Sequence, residues 1–166
     1  PLRAIELHGP SAPLMVAMSW GSFEVVRALL EAKANAWLRR RDFLQADAFL
    51  MACFHSRSEA VKGWLDFFGG TWNMEPAAFG MNLTYLLAVA TYTTNDSHGA
   101  IVVRDLINAK ANLHAITDEG QNSLQAGVFN KGFSPALVRQ FAACSVDVNS
   151  PMIAGSFIFR ILYMLS

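Results

Sequence analysis

Apolar residues recur along the chain with the spacing of short helices. After Pro13, the residues Leu14, Ala17 and Met18 fall at positions i, i+3 and i+4, the period of a helix with one buried face. Proline suits the first position of a helix because its φ angle is already fixed. Gly21 is predicted to end this helix.

A second helix is predicted directly afterwards, with Ser22 placed to cap it through its hydroxyl group. Its apolar residues Val25, Val26, Leu29 and Leu30 are expected to share one face. Two short antiparallel helices joined by a tight turn are therefore the smallest structural unit that the sequence predicts.

This unit recurs along the chain. Residues 24–35 and 100–112 share the sequences Val-Val-Arg and Ala-Lys-Ala-Asn at an offset of 77 residues, and weaker copies at 59–62 and 137–141 lie about 35 residues from the strong ones. A helix pair that recurs every thirty-odd residues indicates a stacked repeat, because one pair cannot bury its apolar face without a neighbour.

Residues 12–35 resemble an ankyrin repeat, whose signature begins T-P-L-H-x-A and continues through a glycine turn into an outer helix. In that family the threonine and histidine brace the turn, so Ala12 and Met15 in their places imply a looser first repeat. Residues 112–124 resemble the family's finger loop, in which Gly120 would supply the positive φ angle. A tetratricopeptide array is disfavoured, because its tryptophan, glycine and tyrosine positions are missing.

The resemblance implies an all-α, ankyrin-type solenoid of stacked antiparallel helix pairs with protruding finger loops. The whole of residues 1–166 is expected to be a single array. Its repeats are predicted at about 5–36, 37–71, 72–111 and 112–147, with a partial fifth at 148–166.

The third repeat has an open register and a polar loop, and the second repeat has a glycine inside its outer helix. The register of the third repeat is uncertain by two residues, and the polar stretch 93–99 between its helices is expected to be a solvent loop. Gly63 lies inside the second outer helix, where it is expected to let Trp64 or Phe67 lie close.

Composition and charge narrow the range of functions. The 13 basic and 13 acidic side chains give no net charge, which argues against a binder of nucleic acid or of an acidic membrane. The apolar run 152–165 is interrupted by Arg160 and is too short to span a bilayer. No signal segment precedes Pro1, so the sequence is expected to be part of a longer or processed chain.

No catalytic, metal-binding or cofactor-binding pattern is found. His8, His55, His98 and His114 fall in different repeats, and the sequence has no Gly-x-Ser-x-Gly elbow, no closely spaced Cys or His pair and no glycine-rich phosphate loop. Cys53 and Cys144 are expected to be buried, reduced thiols rather than a disulfide or metal ligands. This favours an intracellular protein over a secreted one.

Two sets of residues are candidates for binding a partner protein. The first set comprises the residues that end the inner helices, which the resemblance places along a concave groove: Ser19 and Trp20, Phe54 and His55, Thr91 and Tyr92, and Phe129 and Asn130. One aromatic residue per repeat would act as a contact anchor, since aromatic side chains dominate the binding energy of filled grooves. The alternative is that these rings pack between repeats.

The second set lies on the predicted fingertips, at 37–41, 72–75 and 114–119. Three arginines beside an indole could hold an acidic partner segment, although a solvated fingertip is the simpler interpretation. The complete set of predicted partner-binding residues is Trp20, Trp37, Arg39, Arg40, Arg41, Phe54, His55, Trp72, Tyr92, His114 and Phe129.

The function predicted from these features is a non-catalytic protein-interaction module or scaffold. Two alternatives stay open. One is an accessory subunit of a large assembly that covers the apolar C-terminal end, since 53% of the residues are hydrophobic and only 16% are charged. The other is the targeting array of an enzyme whose catalytic domain lies outside these residues.

Overall fold

A computed structural model describes residues 12–42, 44–75, 83–93, 96–118, 120–128, 134–144 and 146–149. Within these ranges the chain forms eight helices. They are α1 (Pro13–Trp20), α2 (Phe23–Glu31), α3 (Ala48–Phe54), α4 (Ser58–Phe68), α5 (Tyr85–Tyr92), α6 (Asp96–Asn108), α7 (Ser123–Val128) and α8 (Pro135–Ala143). The β structure of the described ranges is limited to one isolated antiparallel bridge between Ile116 and Asn122.

The helices form two layers. The odd-numbered helices pack in the order α1, α3, α5, α7, and the even-numbered helices pack alongside them in the order α2, α4, α6, α8. Each odd-numbered inner helix also packs against the outer helix that follows it. This arrangement confirms the predicted all-α solenoid of stacked antiparallel pairs. The repeat boundaries stay predictions, and residues 150–166, which make up most of the expected fifth repeat, lie outside the described ranges.

The core lies between the two layers. All residues from Ala48 to Cys53 in α3 and from Tyr85 to Ala90 in α5 are buried. These two helices have an inner helix on both sides as well as the outer layer behind them. An outer helix buries only one side. In α2, Val26 is fully buried whereas Val25 is 51% exposed, so the expectation that both share a buried face was wrong.

The start of each inner helix depends on the residue before it. Asp47 accepts a hydrogen bond from the Leu50 amide at 2.7 Å, and the Thr84 hydroxyl accepts one from Leu87 at 3.3 Å. Ala12, before α1, has no side-chain oxygen to do the same. The expected Ser22 cap of α2 is also absent, because the Ser22 side chain bonds to Glu24 instead.

The repeated Ala-Lys-Ala-Asn sequence forms the turn that follows α2 and the turn that follows α6. Lys33 and Lys110 adopt left-handed φ angles of 63° and 64°, which end α2 and α6. The following Asn35 and Asn112 side chains accept backbone hydrogen bonds at 2.9 and 2.8 Å from the residues two positions later, the geometry of an Asx turn. We call the connections between α2 and α3, α4 and α5, and α6 and α7 the first, second and third fingers. In the third finger Gly120 has a φ angle of 72°, as predicted.

Two local predictions were wrong. The stretch 93–99 is not a long solvent loop, since Thr93 is buried and α6 begins at Asp96. The close neighbour of Gly63 is neither Trp64 nor Phe67 but Phe23 on the preceding outer helix: a Cβ atom at position 63 would lie 2.5 Å from its ring. Glycine is needed there because the two outer helices approach each other at that point.

Candidate interaction surface

Aromatic side chains at the ends of three inner helices form a continuous row. The Trp20 ring lies 4.4 Å from the His55 ring, His55 lies 5.4 Å from Phe54, and Phe54 stacks on Tyr92 at 4.2 Å, all between ring centroids. Trp20 is 65% exposed, and the other three side chains are half-buried. We call Trp20, Phe54, His55 and Tyr92 the aromatic row. It crosses three helix pairs without a break.

The backbone below this row is tied together from one helix pair to the next. The Arg57 guanidinium donates a hydrogen bond to the Gly21 carbonyl at 2.7 Å, joining the turns that follow α1 and α3. The buried Ser56 hydroxyl donates to the Thr93 hydroxyl at 2.8 Å, joining the turns that follow α3 and α5. The helix ends that carry the four rings are therefore held at fixed relative positions.

The row carries little charge. Burial, together with the nearby positive charge of Arg57, lowers the pKa of His55 below its usual value. The imidazole is consequently neutral at pH 7 and behaves as a fourth aromatic ring. A surface of this kind suits apolar and aromatic groups of a partner chain.

The neighbouring predicted positions behave differently. Ser19 was expected to face solvent, but it is buried and its hydroxyl donates to the Met15 carbonyl at 2.9 Å. The small hydroxyl of Ser19 can donate a hydrogen bond to the preceding turn of its own helix, whereas the Phe54 ring at the matching position of α3 has no donor to do so. Phe129 and Asn130 lie outside the described residues. A role of the row in binding stays a prediction.

The predicted fingertip residue Trp72 is buried. It is only 4% exposed, because it packs edge-on against Phe49 and Trp64 and also contacts Phe68. Trp37 of the first finger stacks on its outer face at 4.2 Å, with an angle of 13° between the ring planes. Trp72 therefore supports Trp37 rather than facing a partner, and the expectation that it is exposed was wrong.

The run of three arginines does not form a clamp of three exposed guanidinium groups. Arg40 is 6% exposed, and its Nε atom donates to the Asp42 carboxylate at 2.6 Å. Arg39 is half-buried and acts electrostatically on Asp47. Arg41 is exposed. The prediction was wrong for Arg40 because the finger folds back on itself, with the amide of Arg40 donating to the Ala46 carbonyl at 2.8 Å.

Asp47 was not singled out from the sequence, yet it links two repeats below the first finger. One carboxylate oxygen caps α3, and the other accepts a hydrogen bond from the Tyr85 hydroxyl at 2.9 Å. Burial raises the pKa of Asp47 to about 6, although these hydrogen bonds and Arg39 act in the opposite direction. Its position immediately before an inner helix was the one available sequence signal.

His114, His98, Cys53 and Cys144 lie in different surroundings. His114 is exposed on the third finger. Ser58, at the start of α4, lies 2.7 Å from Nδ1 of His98 on α6, which joins two outer helices. Cys53 and Cys144 are free thiols; Cys53 is buried and Cys144 half-buried, and burial raises the pKa of Cys53.

The described residues show neither a metal-binding cluster nor a membrane-spanning helix. They contain no group of three or more His, Cys, Asp or Glu side chains able to hold a metal ion. The helices in this part of the chain are also too short or too polar to cross a membrane.

Residues 11–42 match the family model of the ankyrin repeat. No curated protein sequence matches the chain. Among solved structures, the crystal structure of the human ASB11 ankyrin repeat domain is similar, with a TM-score of 0.69 and 14% sequence identity over 87% of this chain. The match covers 59% of that domain, so the chain corresponds to only part of its length. The chain therefore contains an ankyrin repeat at residues 11–42 and has the fold of an ankyrin-repeat domain.

Proposed function

We propose that this protein is a non-catalytic interaction module that holds a partner protein against the aromatic row. The observation that supports the proposal is the unbroken contact of Trp20, His55, Phe54 and Tyr92 across three helix pairs, with Trp20 largely open to solvent. Isolated exposed aromatic residues are common on protein surfaces, but an ordered row on a rigid support is typical of a binding surface.

The mode of binding follows from the rigidity of the support. The hydrogen bonds from Arg57 to Gly21 and from Ser56 to Thr93 fix the turns below the rings, so the row loses little conformational freedom when a partner binds. Aromatic anchors near the centre of an interface each contribute about 2 kcal/mol or more, whereas the contacts around them contribute little.

The test begins with the protein isolated gently from its native source, so that co-migrating proteins can be identified by mass spectrometry. The affinity of the main companion is then measured for the wild type and for a Trp20→Ser/Tyr92→Ser double variant. We expect a loss of at least about 30-fold, which corresponds to about 2 kcal/mol.

The matched control is Val25→Ser, which removes an exposed apolar side chain from the outer helix α2. It should leave the affinity within about twofold of the wild type, as expected of a surface site outside the interface. Equal affinities of the double variant, the control and the wild type would show that the row is not the binding surface.

A second candidate function is that of a permanent subunit in a larger assembly. The observation that favours it is the composition, with 53% hydrophobic and 16% charged residues and a mean hydropathy of +0.28. The same isolation separates the two functions, because a permanent subunit co-migrates in fixed stoichiometry whereas an adaptor is recovered largely as a single chain. A targeting array would instead be recovered with a catalytic domain in the same polypeptide.

A further inference from the structure

A second exposed apolar surface lies away from the aromatic row. It consists of Trp37 and Leu38 on the first finger and Phe67 near the end of α4, and we call it the finger patch. All three side chains are exposed, with Trp37 at 58%. Ring contacts connect Trp37 to Phe67 through two supporting side chains: Trp37 to Trp72 at 4.2 Å, Trp72 to Phe68 at 5.0 Å, and Phe68 to Phe67 at 5.2 Å.

Trp37 is exposed and yet held in place. One face of its indole ring lies nearly parallel to Trp72, which is itself fixed by Phe49 and Trp64 in the core. The backbone amide of Trp37 also donates to Asn35 at 2.9 Å. A large aromatic side chain that is already ordered can bind a partner with little loss of entropy.

The three arginines of the first finger differ in whether a nearby carboxylate neutralises their charge. The guanidinium of Arg40 is paired with Asp42, and the charge of Arg39 is directed at Asp47. Arg41 is exposed and forms no ion pair with the described residues.

At Phe67 the nearest charges in sequence are balanced. Lys62 and Asp66 are joined by an exposed ion pair at 2.6 Å, one turn apart on α4. On the first finger, by contrast, Arg41 lies four positions after Trp37, and its positive charge is not balanced by an ion pair with the described residues. A partner group that complements this surface must be apolar over Trp37 and negative at Arg41.

We infer that the finger patch binds a partner segment in which an aromatic or aliphatic side chain packs on Trp37 and Leu38 while a nearby carboxylate pairs with Arg41. This surface shares no side chain with the aromatic row. It is a second contact, with its own chemical preference, and does not depend on the function proposed for the row.

The inference is tested with a chain in which the aromatic row is disabled by Trp20→Ser and Tyr92→Ser, after circular dichroism has shown that its helix content is unchanged. A displayed library of random 12-residue peptides is selected against this chain. We expect the enriched peptides to carry Asp or Glu within a few positions of Trp, Phe or Leu, and their affinity to fall as the salt concentration rises.

Variants of the same chain locate the contact. Arg41→Glu, a change confined to an exposed side chain, should weaken binding of the enriched peptides at least about tenfold, as charge reversal at an interface does. Arg139→Glu is the matched control, because Arg139 is exposed on α8 at the other end of the described array, and it should leave affinity within about twofold. Trp37→Phe keeps a ring on Trp72 but reduces the contact area, so it should also weaken binding, and its combination with Arg41→Glu should weaken binding more than either change alone.

Three results would overturn the inference: no peptide is enriched, the enriched peptides show no acidic preference, or Arg41→Glu binds them as well as Arg139→Glu does. Because the row is disabled in every variant, failure of the finger patch leaves the proposal for the row untouched. Equally, a row that proves inactive in its own experiment does not alter the outcome here.

Discussion

The aromatic row and the finger patch each present an exposed tryptophan to solvent, but the two surfaces are supported in different ways. The row is carried by the ends of three helices, so the helical period decides that Trp20 and Tyr92 point outward. In the finger patch, Trp37 and Leu38 lie on a loop, where stacking on Trp72 and the backbone hydrogen bond to Asn35 hold Trp37 in place. The comparison therefore predicts that Trp20 can be removed from the row with little loss of stability, whereas the finger patch rests on the core residue Trp72.

The largest expected effect comes from exchanging a tryptophan in each region for alanine. Trp72→Ala removes a side chain that is 4% exposed and should lower the free energy of unfolding by about 3–5 kcal/mol. Trp20→Ala removes one that is 65% exposed and should change it by less than about 0.5 kcal/mol. Urea denaturation followed by circular dichroism measures both.

The effect of Trp37→Ala on the free energy of unfolding tests the same comparison with a side chain that is exposed but stacked on Trp72. The substitution uncovers one face of Trp72 without creating a cavity, so its cost should lie between those of the other two variants. If Trp20→Ala proves as costly as Trp72→Ala, the aromatic row is part of the core. The distinction between a binding surface and a structural one would then fail for the row.

The next effect concerns Asp47, which lies below the first finger. Its pKa is raised from 3.8 to about 6 in the folded chain, so the folded state binds the proton more tightly than the unfolded state does. The stabilisation is therefore complete below pH 3.8 and is lost as the pH rises through 6. Between these limits Asp47 contributes a change of up to about 3 kcal/mol in the free energy of unfolding.

Asp47→Asn separates this contribution from all other titrating groups. Asparagine can still accept from the Leu50 amide, and its amide group can donate to the Tyr85 oxygen, so the cap and the link between repeats are retained. Urea denaturation at pH 4, 5, 6 and 7 should show the wild type losing stability relative to the variant as the pH rises. A constant difference between the two proteins would mean that Asp47 titrates normally.

The sequence was sufficient for the features that local periodicity determines. The spacing of apolar residues and the recurrence of Ala-Lys-Ala-Asn predicted stacked helix pairs, and the helical register placed Trp20, Phe54 and Tyr92 at matching helix ends. The structural role of the recurrence was missed: it encodes the left-handed lysine and the Asx turn that begin the first and third fingers.

Features set by contacts between distant residues could not be predicted in the same way. The burial of Trp72 depends on Phe49 and Trp64 in the preceding helix pair, and the position of Arg40 depends on a fold of the finger that brings its amide to the Ala46 carbonyl. A loop has no fixed period, so its sequence does not indicate which side chains point inward. The bond from Tyr85 to Asp47 likewise joins residues 38 positions apart in the sequence.

The smallest expected effect tests why the first helix pair differs from the second. α1 carries Trp20, the most exposed member of the row. It is preceded by Ala12, which provides no side-chain cap, whereas α3 is preceded by the capping residue Asp47. The backbone at Ala12, with φ −61° and ψ 148°, already has the extended conformation of a capping residue. Ala12→Asp should therefore raise the free energy of unfolding by about 1 kcal/mol.

Ala12→Asn distinguishes the two sources of this gain. It restores the hydrogen bond without the negative charge that favours the start of a helix, so it should reach most but not all of the effect of aspartate. Thermal denaturation in low salt measures both variants, and the difference between them should shrink at high salt. If neither variant is more stable than the wild type, the start of α1 is not limited by its missing cap.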